Sequence, residues 1–145
     1  IAHQIVRHRS FSFQEFSQRY ADPEAQGDLF EYSEARLQDT KNRQNSITID
    51  DQKLQDEWKN RQEEVALAAK YAYDWAIDQG IAKEQARKVL PEGLTKTTLY
   101  MNGTLRSWVH YIELRSANGT QKEHMDIAKE CAVVIAKIFP MAKDL

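Results

Sequence analysis

Apolar residues recur at helical spacing along one long segment of the chain, between Asp50 and Gly80. Asp50 or Asp51 can cap the start of this segment, because an aspartate oxygen accepts hydrogen bonds from the free N–H groups of a first turn. Gly80 is a typical residue at which a helix ends. The pattern therefore predicts one long helix. Its apolar positions are Leu54, Trp58, Val65, Ala68, Ala69, Ala72, Trp75 and Ala76.

The C-terminal part of the chain predicts two further helices separated by a turn. The first covers about residues 104–115, and the turn lies at Ala117-Asn118-Gly119. The second covers about residues 120–138. Its expected buried face consists of Ile127, Cys131, Val134, Ile135 and Ile138.

The remaining segments predict short elements of both kinds. Residues 1–9 are interpreted as the end of a helix, and residues 10–20 as an extended segment that turns into a loop. Strands are expected at 29–37 and 94–102, a polar connection at 38–50 and a short helix at about 82–88. Helix dominates this mixture, which favours an α+β fold and excludes an all-β one.

Composition narrows the class of protein. The chain has 145 residues, 41% of them hydrophobic and 29% charged, which is typical of one globular domain. A formal net charge of −2 argues against a protein held on nucleic acid by bulk electrostatics. Cys131 is the single cysteine, so no intrachain disulfide is possible and a reducing, cytoplasmic compartment is expected. No apolar run is long enough for a membrane-spanning helix.

Familiar catalytic motifs are absent from the sequence. It contains neither a GxGxxG nor a GxxxxGK[ST] phosphate loop, and no nucleophile-elbow serine. The four histidines lack the spacing of zinc ligands, so no metal site is expected. They are His3, His8, His110 and His124, of which His3 and His124 are interpreted as structural.

Arginines are placed near the ends of several predicted elements. Arginine carries a planar, permanently charged fork that binds phosphates through two hydrogen bonds. The arrangement is compatible with a small phosphorylated ligand, but on spacing alone solvated charges or structural ion pairs are the better explanation. The residues concerned are Arg7, Arg9, Arg19, Arg87, Arg106 and Arg115.

Three blocks of sequence, in order, resemble one known family. RHRSFSFQEFSQRY at 7–20 is similar to the RHR-x7-S signature of the flavin-dependent thymidylate synthases, the ThyX family. ARKVLPEGL at 86–94 resembles the family's R-x-V-L-P segment. GTLRSWVHYIELRSANGTQKEH at 103–124 is similar to its C-terminal active-site helix and the following turn.

The resemblance implies a fold and an activity. The implied fold is ThyX-like, an antiparallel sheet flanked by helices, with residues 1–145 forming a single domain that is the C-terminal two-thirds of the catalytic domain. The implied reaction is reductive methylation of dUMP to dTMP, with methylenetetrahydrofolate as one-carbon donor and NADPH-reduced FAD as hydride source. The implied partners are dUMP, folate and other copies of the chain, because the family forms homotetramers with active sites at subunit interfaces. Neither a nucleic acid nor a membrane is implied.

The resemblance also implies roles for individual residues. Arg115 is the expected catalytic residue, since a cation beside the pyrimidine stabilises negative charge that develops on the ring. The residues expected to contact dUMP are Gln4, Arg7, Glu15, Phe16, Ser17, Gln18, Arg19, Arg87 and Arg115. Those expected to contact FAD are Arg7, His8, Arg9, Glu15, Thr104, Arg106 and His110.

Two departures and two alternatives accompany this interpretation. Thr104 stands where other members carry asparagine, and Gly119 where they carry histidine. The first alternative is a catalytically incompetent fragment that binds dUMP or FAD. The second is an arginine-bearing helical module that binds single-stranded nucleic acid, which a steep salt dependence of affinity would reveal.

Overall fold

A computed structural model describes residues 1–17 and 27–140 of the chain. Their Cα atoms group into two compact units, each described here by itself. The first unit comprises Ile1–Gln14, Leu37–Ile47 and the described residues from Leu99 onward. The second comprises the described residues of Glu15–Arg36 together with Thr48–Thr98. The single domain expected over 1–145 stays a prediction.

Helices and short strands are interspersed along the chain. The helices are α1 (Ala2–Ile5), α2 (Gln52–Asp78), α3 (Lys83–Ala86), α4 (Leu105–Ser116) and α5 (Lys122–Ile138), with a 3-10 turn at Arg87–Val89. The strands are β1 (Ser12–Glu15), β2 (Arg36–Gln38), β3 (Ser46–Thr48) and β4 (Leu99–Asn102). They form two small antiparallel sheets, β1 with β4 and β2 with β3. This mixture confirms the predicted α+β class.

The long helix α2 begins and ends where the sequence predicts. The Asp51 side chain accepts a hydrogen bond of 3.0 Å from the backbone N–H of Leu54. Gly80, two residues beyond the helix, has φ of +74°, a conformation that costs glycine little and other residues more.

The buried face of α2 differs from its most apolar face. Buried positions are Gln62, Ala66, Ala69, Tyr73 and Ala76, while the larger predicted residues Trp58, Val65 and Trp75 are 42–55% exposed. Small alanines allow close approach to the rest of the second unit, where Tyr73 and Ala76 pack with Ala86. The Gln62 carboxamide can be buried without loss of hydrogen bonds, because it accepts from the N–H of Ser33 and donates to its C=O, each at 2.9 Å.

The core of the first unit lies between α4 and α5. Its buried members are Phe11, Tyr111, Ile112 and Ala128. On α5 the buried positions are His124 and Ala128, whereas the predicted core residues Ile127, Val134 and Ile138 are exposed. Cys131 and Ile135 are half-buried and pack against the cluster that contains Ala128. The buried face of α5 is therefore rotated from the predicted one towards Ala128.

The segments predicted at 29–37 and 38–50 differ in the structure. The strand expected at 29–37 is reduced to a bridge between Phe30 and Thr95, with β2 beginning only at Arg36. The polar connection at 38–50 contains a hairpin, whose turn is closed by the Asp39 carboxylate accepting from the N–H groups of Lys41 and Asn42. Local side-chain hydrogen bonds of this kind stabilise turns that apolar periodicity does not register.

Gly103 is needed for the packing of Phe11. A Cβ atom at residue 103 would lie 2.5 Å from the Phe11 ring, which is itself buried against Trp108 with 5.0 Å between ring centroids. Gly103→Ala is therefore expected to destabilise the protein by roughly 1–3 kcal/mol, the usual cost of overpacking. Urea unfolding measures this loss.

The matched control for that variant is Gly93→Ala. A Cβ atom at residue 93 would meet nothing within 4 Å, and the backbone there is not left-handed. We expect its free energy of unfolding to stay within about 0.5 kcal/mol of the unmodified protein. Equal losses at both glycines would contradict the steric explanation.

Candidate active site

The centre of the candidate site is a hydrogen bond between His8, which follows α1, and Arg115, in the last turn of α4. The Arg115 Nε–H donates to His8 Nε2 over 2.9 Å, although the two residues are 107 positions apart. A ring nitrogen that accepts carries no proton, so His8 is neutral with its proton on Nδ1. Burial, and secondarily the charge of Arg115, lower the pKa of His8 and favour this state.

Arg115 keeps its full positive charge in this arrangement. Among the described residues, no carboxylate forms an ion pair with it, and its one hydrogen-bond partner is the uncharged His8 ring. A neutral acceptor orients the guanidinium without cancelling its charge. The fork of the guanidinium remains available to an anionic or electron-rich ligand.

Aromatic rings support the pair from the side of the core. The His8 ring packs edge-on against Tyr111, with 4.9 Å between centroids, and also against Phe11 at 6.5 Å. Tyr111 is 1% exposed and lies one helical turn before Arg115 on α4. The position of His8 is thus fixed by buried groups.

A second histidine, His124, completes the polar interior of this region. It is 0% exposed, and its ring nitrogens lie 3.1 Å from the Gln4 Oε1 and 3.1 Å from the Tyr111 hydroxyl. Burial first, and then the charge of Arg115, lower the pKa of His124 to about 4. Burial raises the pKa of Tyr111 to about 12. His8, Tyr111 and His124 are therefore uncharged at neutral pH, and Arg115 is the charged side chain beside them.

The other predicted residues of the first unit lie at its surface. Arg7, Arg9 and Arg106 are exposed, and within the described ranges their guanidinium groups form no hydrogen bond or ion pair. His110 is also exposed, with its Nδ1 3.7 Å from the Glu113 carboxylate. Thr104 caps α4 by accepting from the Ser107 N–H at 3.2 Å.

The remaining predicted residues belong to the second unit or lie outside the described residues. The Glu15 carboxylate accepts from the Thr97 hydroxyl at 2.9 Å, and the Phe16 N–H donates to the Thr98 carbonyl at 2.8 Å. Ser17 is half-buried, and Arg87 is half-buried at the start of the 3-10 turn. Gln18 and Arg19 lie outside the described residues.

The structure thus brings Gln4, His8 and Arg115 into one region, and it adds Tyr111 and His124, which the sequence analysis did not assign to the site. One signal for Tyr111 was available, since it stands four residues before Arg115 on a predicted helix. In the described parts of the chain, no group of three or more His, Cys, Asp or Glu side chains could hold a metal ion. Over the same residues, no helix is both long and apolar enough to cross a membrane.

A family model and two curated relatives match almost the whole chain, and all three point to the same group of proteins. A model of the family described as thymidylate synthase complementing protein matches residues 1–141. The chain is 49% identical over 143 residues to a probable flavin-dependent thymidylate synthase of Paramecium bursaria Chlorella virus 1. It is 46% identical over 140 residues to a flavin-dependent thymidylate synthase of Synechocystis sp.. In both cases the match covers 97% of this chain and 63% of the relative, so the chain spans less than two thirds of these curated relatives.

A solved structure shows the same fold. The chain matches the crystal structure of PolB, a UMP/dUMP methylase from Streptomyces cacaoi bound with 5-Br UMP, with a TM-score of 0.74 and 24% sequence identity. The match covers 94% of this chain and 64% of that one. The fold class predicted from the sequence is confirmed.

Proposed function

The chain belongs to the thymidylate synthase complementing protein family, and we propose that it forms part of a flavin-dependent thymidylate synthase that converts dUMP to dTMP. The one-carbon donor in this proposal is methylenetetrahydrofolate, and NADPH-reduced FAD is the hydride source. Two relatives named flavin-dependent thymidylate synthases, each more than 45% identical, support it. A cytoplasmic location accompanies the proposal, since Cys131 is a free thiol.

The observation that carries the proposal is the un-neutralised cation Arg115, oriented by the neutral His8 ring. Attack of uracil C5 on an electrophilic carbon requires electron density in the ring, and a fixed positive charge stabilises the negative charge that develops there. Because the guanidinium is held before the ligand arrives, little reorganisation is needed during reaction. We assign Arg115 to the pyrimidine for this reason.

We assign the binding of the phosphate and sugar of dUMP to the other arginines and polar residues that the family resemblance identified. Arg7 and Arg87 offer forks suited to a phosphate, and Gln4 lies next to the His8 and Arg115 region through its contact with His124. Glu15, Phe16 and Ser17 are proposed to contact the same nucleotide, with Gln18 and Arg19 beside them in the chain. Ser17 is given a binding role, because an activated serine needs an adjacent base.

The exposed groups of the first unit fit an FAD cofactor. The guanidinium groups of Arg7, Arg9 and Arg106 lack partners among the described residues, and cations of this kind suit a pyrophosphate. His8, Glu15, Thr104 and His110 complete the proposed set. When bound, the reduced flavin supplies the hydride, and the protein positions and polarises the substrate.

Assembly into a homotetramer with active sites at subunit interfaces is part of the proposal. The long helix α2 leaves several large apolar side chains exposed within the second unit, including Trp58, Tyr71 and Trp75 at 42%, 76% and 55%. Exposed apolar groups of this size along one helix are typical of a surface that packs against another chain.

The direct test is the visible spectrum of the purified protein with FAD, followed by a turnover assay. We expect a flavin band that stays with the protein through desalting and shifts when dUMP is added. With NADPH and methylenetetrahydrofolate, we expect dTMP by chromatography. Flavin and dUMP binding without dTMP would favour the incompetent fragment, and a protein that binds neither would refute the proposed function.

A further inference from the structure

His124 belongs to a connected series of hydrogen bonds, and the proposed function has so far given this residue no role. The series runs through Glu123, Gln121, Gln4, His124 and Tyr111. His124 is fully buried in the first turn of α5. Its Nδ1 faces the Gln4 Oε1, and its Nε2 faces the Tyr111 hydroxyl, both at 3.1 Å. These distances alone do not say which atom donates.

The direction of the series is fixed from its other end, at Glu123. An ionised carboxylate only accepts, so the Gln121 Nε2 donates to the Glu123 Oε2 over 3.0 Å. The Gln121 Oε1 is thereby turned towards Gln4, and the Gln4 Nε2 donates to it over 2.8 Å. Rotating either carboxamide by 180° would place oxygen against oxygen. Gln4 must therefore turn its Oε1 to His124.

The tautomer of His124 follows from the orientation of Gln4. A carboxamide oxygen can only accept, so the His124 Nδ1 carries the proton and donates it. The Nε2 is then an acceptor, and the Tyr111 hydroxyl donates to it. A buried ring next to Arg115 and His8 is held neutral, as this assignment needs.

We propose that His124 is a positioning residue: its Nδ1–H holds the Gln4 carboxamide in one orientation, so that the second N–H of Gln4 points at an acceptor oxygen of dUMP. The role rests on the proposed function, in which Gln4 contacts the nucleotide. Each carboxamide nitrogen has two N–H groups, and Gln121 takes only one of those of Gln4. Without the histidine donor, the Gln4 carboxamide could rotate and present its oxygen to the ligand.

A double-mutant cycle between His124 and Gln4 tests this role in the FAD-loaded protein. The readout is the dissociation constant of dUMP, from the change in flavin absorbance. We expect His124→Leu and Gln4→Leu each to weaken binding about tenfold, in the range for loss of a buried hydrogen-bond partner. The double variant should bind no more weakly than Gln4→Leu alone. Losses that multiply would overturn the proposal.

Two further variants separate positioning from general damage to the fold. His124→Asn keeps an N–H donor close to the position of Nδ1, so we expect it to bind dUMP within about threefold of the unmodified protein. If it bound as weakly as His124→Leu, the donor would not be the reason. Lys129→Leu, at an exposed position of α5, serves as the control and is expected to leave dUMP affinity unchanged.

A measurement on the unmodified protein avoids any risk that a variant fails to fold. The ¹⁵N shifts of labelled histidine rings report the tautomer directly, and we expect His124 in the neutral Nδ1–H form without nucleotide. A protonated Nε2 in a protein that binds dUMP would overturn the positioning role alone. Absence of dUMP binding in the unmodified protein would instead overturn the proposed function.

Discussion

Arg115→Ala is expected to lower the rate of dTMP formation by about 10²–10³-fold, the usual effect of removing one preorganised stabilising group. The flavin content of the protein should be largely retained, because Arg115 is assigned to the pyrimidine. Its guanidinium is oriented by a 2.9 Å bond to a neutral ring, so its charge is available to the substrate. Product chromatography gives kcat and KM for dUMP, and absorbance gives the bound flavin.

Two further arginine variants sharpen this result. Arg115→Lys keeps the charge but removes the Nε–H that bonds His8, so we expect activity between the alanine variant and the unmodified protein. Arg61→Ala is the control, since Arg61 is exposed on α2 and pairs with Glu57 and Glu64 at 2.6 and 3.1 Å. It should turn over normally. Loss of flavin with turnover restored by added FAD would place Arg115 in the flavin site.

The sequence predicted the helices well and their buried faces poorly. Capping chemistry and glycine conformation are local, so Asp51 and Gly80 marked the ends of α2 correctly. The buried face depends on what the helix packs against, and on α2 this favoured Ala66 and Ala69 over the larger Trp75. Apolar character shows which residues can be buried, and shape complementarity decides which of them are.

In the candidate site too, the sequence identified individual residues but not the contacts between them. The local string at 7–20 identified His8, and a separate block identified Arg115, each with its own expected ligand. Their contact spans 107 residues, and no periodicity or spacing in the sequence reveals such a pair. His124 was interpreted as structural, and its burial agrees with that. Its contact with Gln4 adds a second role, because the buried His124 ring orients a side chain that we assign to dUMP.

The stability of the protein is expected to fall in mild acid because of buried neutral histidines. In the unfolded chain His124 takes up a proton near pH 6.5, whereas in the folded protein its pKa is lowered to about 4. Between these values the unfolded state binds more protons, so stability is full above pH 6.5 and is lost as the pH falls towards 4. His124 alone should cost about 2–3 kcal/mol between pH 6.5 and 4.5.

Urea unfolding of the unmodified protein and of His124→Asn, at one protein concentration and several pH values, measures this effect. The variant has no ring to titrate, so its free energy of unfolding should fall less over the same interval. A smaller decline should remain, because burial also lowers the pKa of His8. Asp39 does not interfere, since hydrogen bonds from the backbone N–H groups of Asn42 and Lys41 hold the pKa of its carboxyl below its ordinary range. Parallel declines in both proteins would show that His124 is protonated in the folded state, contrary to its buried contacts with Gln4 and Tyr111.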